Sequence, residues 1–125
     1  MQKQNLFSMN KASKKKILKP WGYEELVSFN KNYVLKKLYM KKGHRCSLQF
    51  HKKKHETIYV LSGKLKISYG RKIGNLKVKT LKSNQSLIIN PLTIHRMEGI
   101  KNTIYLEAST SQLKDVVRLS DDYGR

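Results

Sequence analysis

Between Lys64 and Thr80 the chain alternates twice. Leu65, Ile67 and Tyr69 are interleaved with Lys64, Lys66 and Ser68; after a loop over Gly70 to Asn75, Leu76, Val78 and Thr80 are interleaved with lysines. A repeat of two places all the apolar side chains on one face of an extended strand, whereas a helix would scatter them around its circumference. The remaining apolar runs are short and rich in strand formers: Tyr33–Met40, Ser47–His51, Glu56–Leu61, Leu87–Ile89, His95–Met97 and Thr103–Ala108. Trp21, Tyr23 and Leu26 alternate more loosely, as a first strand can. Lys41-Lys42-Gly43, Ser62-Gly63 and Asn90-Pro91 separate the runs. Many short strands punctuated by such turns predict an all-β sandwich or barrel. The one helix candidate is Ser109 to Val117.

A chain of 125 residues is one domain's worth. Residues 1–19 are polar and basic and read as an N-terminal arm or edge strand, in which Leu6, Phe7 and Met9 could pack locally. Pro20 is disfavoured inside a hydrogen-bond ladder, so the domain itself is expected over 20–125. The lone Cys46 cannot form an internal disulfide, no stretch is long and apolar enough to cross a bilayer, and the basic start lacks the apolar core of a signal peptide. A cytoplasmic location is the expectation. The formal charge is +19, from 27 basic and 8 acidic residues, and such a surplus attracts phosphates on sugars, nucleotides or nucleic acid. Only Arg45, Arg71, Arg96, Arg118 and Arg125 are arginines, however, and the lysines spread along the chain. No helix-turn-helix, zinc-finger or ribonucleoprotein motif accompanies them. A solvated lysine surface is the favoured reading, with no nucleic-acid and no membrane partner.

The chemistry gathers between Gly43 and Gly63, which holds His44, His51 and His55; the fourth histidine, His95, closes a second stretch, Ser86 to His95. Strand alternation turns Gln49 and His51 to the same side. Lys52 to Lys54 read as a polar turn, and Glu56 opens the next run, so Gln49, His51 and Glu56 meet across one expected hairpin. Imidazole nitrogens with carboxylate or amide oxygen suit zinc, manganese, iron, cobalt or nickel. A single histidine on a strand is more often packed or at the surface than a ligand, and His44 is assigned to the surface. His55 could replace Glu56 or orient a ligand. Met40 and Met97 read as core filler and Trp21 as packing.

Gly43, Gln49, His51, Glu56 and Gly63 resemble the first motif of the cupin superfamily, with Gln49 where many cupins carry a histidine, and Ser86-Leu-Ile-Ile-Asn-Pro-Leu-Thr-Ile-His95 resembles the second. The run Ser47-Leu-Gln-Phe-His51, with Lys19-Pro-Trp-Gly-Tyr-Glu24 in front and Asp115 to Arg125 behind, is similar to the cupin domain of type II phosphomannose isomerases. That domain is usually fused to a mannose-1-phosphate guanylyltransferase. The resemblance covers nearly the whole chain after residue 18. It implies a cupin double-stranded β-helix, a jelly-roll barrel, with Gln49, His51, Glu56 and His95 binding one divalent metal ion, zinc being expected. It also implies a homodimer, by analogy with other cupins.

The implied activity is a metal-dependent aldose–ketose isomerase interconverting mannose 6-phosphate and fructose 6-phosphate for surface polysaccharide. A proton must then move between C1 and C2, and Lys54 and Glu107 are the candidate catalytic groups. The plainer readings are an exposed turn lysine and a surface carboxylate. Arg118 and Arg125, in the matching tail, are the candidates for the substrate phosphate; the alternative is that Asp115, Arg118, Asp121 and Asp122 form surface ion pairs. The family carries an arginine where this chain has Lys54 and a histidine where it has Thr57. Arginine stays charged and offers a planar fork, whereas lysine is a flexible point charge. Two alternatives follow: a cupin that binds a sugar phosphate or nucleotide sugar without isomerising it, and a nucleic-acid-binding module driven by the basic surplus.

Overall fold

The computed structural model describes residues 16–125, so Leu6, Phe7 and Met9 lie outside the described residues. Among the described residues eleven strands form two antiparallel sheets. One has six strands in the order β1 (Lys16–Lys19), β2 (Gly22–Phe29), β3 (Val34–Met40), β10 (Thr103–Ser109), β5 (Glu56–Ser62) and β8 (Ser86–Ile89). The other has five, in the order β11 (Val117–Ser120), β4 (Leu48–Phe50), β9 (Ile94–Gly99), β6 (Lys64–Gly70) and β7 (Lys77–Lys82). A single 3₁₀ turn, Ile73–Asn75, sits in the β6–β7 loop. Among the described residues no helix is long and apolar enough to cross a membrane. The architecture is the all-β cupin jelly roll.

The period-two pattern explains the layering on β6 but not on β7, where Val78 is 59% exposed and Leu81, in the opposite phase, is the buried residue. Leu65 and Ile67 on β6, Ile58 and Val60 on β5, Leu38 and Met40 on β3 and Met97 on β9 point between the sheets and are buried, with Trp21, Leu81, Ile89 and Tyr105 completing the cluster. Each such side chain contributes roughly 1.5–3 kcal/mol on burial. Lys64 and Lys66, one residue out of phase, face away. Where β5 turns into β6, Gly63 has φ +96°, and a Cβ there would stand 2.4 Å from the Asn102 carbonyl oxygen. Only glycine fits.

Among the described residues Lys16–Lys19 pairs with Glu25–Gly22 as an edge strand. Two expectations require correction. The segment 109–117 is not a helix. Ser109 completes β10, opposite Val34 and Glu56, and the following residues are held locally. The Thr110 N–H donates to the His55 carbonyl at 3.0 Å, and Ser111 Oγ donates to the Lys31 carbonyl at 2.8 Å. These bonds to the corner before β5 and the turn between β2 and β3 outcompete a helix whose first turn would have to nucleate alone. Nor do β4 and β5 form a hairpin. They belong to opposite sheets, so the Lys52–Lys54 turn is a corner joining the two layers. Residues from both layers thereby face one interior space.

Candidate metal centre

His51 follows β4, Glu56 opens β5, and His95 lies on β9 directly opposite Gln49 of β4. All three ionisable side chains are buried. His95 Nε2 is 3.0 Å and His51 Nε2 3.3 Å from the same oxygen, Glu56 Oε1. One potential ligand atom from each of the three lies within 4.8 Å of the others. The other nitrogen of each imidazole is engaged: His51 Nδ1 donates to the Asp115 carbonyl at 2.5 Å and His95 Nδ1 to the Thr93 carbonyl at 2.9 Å. That leaves both Nε2 atoms with lone pairs turned inward.

His51 Nε2, His95 Nε2 and both Glu56 oxygens are buried without an aligned hydrogen-bond partner. Buried polar atoms left this way cost about 1–3 kcal/mol each, so four converging on one point call for a shared partner. Two imidazoles and a carboxylate fit a borderline divalent cation. Burial by itself would raise the Glu56 pKa. The nearby His51 and His95, together with the Lys54 charge, outweigh it and hold the carboxyl well below its ordinary range. The group is therefore an anion ready to bind a cation.

Beside this triad a cavity of about 160 Å³ is lined by Gln49, His51, Lys54, Glu107, Arg118 and Arg125, among others. Lys54 is not an exposed turn residue. It is 5 % exposed, and its Nζ lies 3.1 Å from Glu107 Oε2 and 3.4 Å from Glu56 Oε2. Glu107 is equally interior, on the central strand β10. Burial and the Glu56 charge raise the Glu107 pKa, against the opposing pull of Lys54 and Lys36. For Lys54, burial lowers the pKa, but the Glu107 and Glu56 charges more than reverse it. Lys54 is a fixed cation, and Glu107 a carboxyl moved toward neutrality.

Gln49 is half-buried, and its Oε1 accepts a hydrogen bond from Ser47 Oγ at 2.9 Å. Arg118 is paired with Gln49 across β11–β4 and has no ion-pair partner among the described residues. Arg125 is held by Asp121, Nε to Oδ2 at 2.9 Å. His55 is exposed and turned away from the triad, so it neither replaces Glu56 nor orients a ligand. His44 contacts the Lys42 carbonyl. Among the described residues Asp115 and Arg118 join no surface ion pair, whereas Arg45–Asp122 and Arg125–Asp121 form two. Sequence reasoning placed Asp115 in the matching tail and offered it a surface ion pair, but missed its contact with the His51 turn, because its partners lie more than sixty positions away.

A model of the mannose-6-phosphate isomerase C-terminal family matches residues 8–121. The chain belongs to that family. It is 31% identical over 117 residues to the xanthan biosynthesis protein XanB of Xanthomonas campestris pv. campestris, covering 89% of this chain and 24% of that one. With the mannose-1-phosphate guanylyltransferase ManC of Salmonella typhimurium it shares 27% over 121 residues, 89% of this chain and 23% of the relative. The chain thus spans about a quarter of the length of these relatives. Its fold is also that of the capsular polysaccharide assembling protein CapF from Staphylococcus aureus, with a TM-score of 0.75, 14% identity, and coverage of 85% of this chain and 34% of that one. A cupin domain of the phosphomannose isomerase family is thereby established.

Proposed function

We propose that this cupin domain is a metal-dependent isomerase that interconverts mannose 6-phosphate and fructose 6-phosphate, serving mannose and surface-polysaccharide synthesis in the cytoplasm. The observation that carries the reading is that Lys54 joins Glu56 of the His51–Glu56–His95 triad to Glu107, beside a cavity that His51, Lys54 and Glu107 line. His51, Glu56 and His95 would hold one divalent ion, zinc being expected, with Gln49 as the fourth ligand once it gives up Ser47. When bound, the ion supplies an electrophile that polarises the sugar oxygens at C1 and C2.

Glu107, as carboxylate, removes the C2 proton of the aldose and returns it to C1 of the ketose, while the hydroxyl proton passes between O2 and O1. The enediolate between these two transfers carries negative charge. The Lys54 ammonium, already fixed by Glu107 and Glu56, offsets that charge without having to reorganise. Arg118, which has no ion pair among the described residues, and Arg125, which also lines the cavity, take the phosphate. A coupled assay on the purified chain loaded with zinc, manganese, cobalt or nickel tests this; absence of turnover with all four at high enzyme concentration would overturn it.

The engagement of Lys54 with two carboxylates favours one competing reading. In it the cavity binds a sugar phosphate or nucleotide sugar without isomerising it. Ligand-dependent thermal stabilisation without product would support that reading, and Lys54→Arg would then be the variant in which to look for gained turnover. Assembly as a homodimer follows by analogy with other cupins; Ile88 on the edge strand β8 and Tyr33 in the turn before β3 are 67% and 55% exposed.

A further inference from the structure

We propose that Asp115 is the positioning residue of the metal centre, fixing both the His51 imidazole and the turn that delivers Lys54 into the cavity. The inference rests on the metal-binding reading above and adds a residue that neither motif contains.

Asp115 lies in the irregular segment between β10 and β11, yet both its polar ends are occupied by one stretch of chain. Its carbonyl oxygen accepts from His51 Nδ1 at 2.5 Å. Its carboxylate accepts three successive backbone N–H groups, from Lys52 at 2.9 Å, Lys53 at 2.7 Å and Lys54 at 3.0 Å. Three amides in a row pointing at one anion form a backbone nest, which is positive in sign and holds a carboxylate well. Among the described residues Asp115 makes no salt bridge, so its charge serves the turn and not a surface pair.

The two contacts act in one direction. Donation from Nδ1 selects the tautomer whose Nε2 lone pair faces Glu56 and His95. Pinning the three amides sets the path of the corner between the two sheets. Lys52 and Lys53 consequently project into solvent, while Lys54 turns inward and reaches Glu107 and Glu56. A carboxamide at position 115 keeps one acceptor oxygen but offers amide hydrogens where the second accepted two N–H groups. Asp115→Asn therefore releases part of the turn, and Asp115→Ala releases all of it.

The test is titration of the full chain with cobalt(II), followed by its visible absorption. Asp115→Asn and Asp115→Ala are compared with the parent and with Asp122→Asn, which removes a carboxylate of the same tail that holds Arg45 outside the cavity. Both variants keep the main-chain carbonyl that holds His51 Nδ1, so the effect comes through the released turn that carries His51 and Lys54: cobalt affinity is expected to fall about 10-fold, the low end of the range for a group that orients a ligand, with an altered spectrum. Asp122→Asn should match the parent. Unchanged affinity and spectrum in Asp115→Ala would overturn the proposal while leaving the metal centre standing; a parent chain that binds no cobalt would overturn both. Amide exchange in the parent decides the matter should the variants not fold. Lys52, Lys53 and Lys54 N–H groups are expected to be protected, and free exchange at all three would refute the nest.

Discussion

Lys54 Nζ stands 3.1 Å from Glu107 Oε2, a contact made between a corner of the barrel and its central strand, fifty-three residues apart. Both groups are buried, so deleting Lys54 strands Glu107, whereas deleting Glu107 leaves Lys54 with Glu56 alone at 3.4 Å. Lys54→Met is expected to lower stability by about 3–5 kcal/mol, the usual loss when one partner of a buried ion pair is removed. Urea denaturation measures it. Replacing both together with apolar residues of similar volume should cost less than the sum of the two single changes. Glu107→Gln, which keeps the shape, should remove turnover while retaining metal, as shown by elemental analysis beside the assay.

Metal content should respond to the triad. His51→Ala and His95→Ala are each expected to abolish stoichiometric metal, and Gln49→Ala to weaken it. A chelator should lower the melting temperature of the parent and re-added zinc restore it, because a cation that binds only the folded chain stabilises it by mass action. Full metal in all three variants would remove the assignment.

Acid should loosen the C-terminal tail. Hydrogen bonds from Arg45 to Asp122 and from Arg125 to Asp121 hold both carboxyls below their usual pKa, and the Lys52 amide does the same for Asp115. A carboxyl with a depressed folded-state pKa contributes stability that is complete above its unfolded value of about 3.9 and is lost as the pH falls through the folded value. Urea midpoints measured from pH 5 down to 2 should therefore drop more steeply for the parent than for Asp121→Asn.

Gly63→Ala tests the β5–β6 turn. With φ at +96° and the Asn102 carbonyl 2.4 Å from the added Cβ, the variant is expected to lose at least about 1–3 kcal/mol, the range for a strained backbone position. Thermal melting reads this directly, and a neutral result would mean that the turn can relax.

Arg118 sits at the mouth opposite Gln49. If it takes only the phosphate, Arg118→Ala should raise KM several-fold and leave kcat nearly unchanged, since it removes binding shared by ground and transition states. An equal fall in kcat would place it in the chemistry instead.

The sequence by itself determined the layers and the ligand types. Leu65, Ile67 and Tyr69 alternate with lysine and serine, a local signal that needs no partner to be read, and His51, Glu56 and His95 stand in spacings that resemble two known motifs. What only the tertiary structure decided is how distant pieces face one another. A turn of three lysines looks solvated in any window of sequence. Lys54 is interior because the corner crosses between sheets and Asp115, sixty-one positions later, grips its backbone. Likewise 109–117 could be read as a helix until Thr110 and Ser111 found carbonyls on His55 and Lys31. Side-chain period is written within a few residues, whereas the hydrogen bonds that choose a corner's path join residues whose separation along the chain carries no pattern.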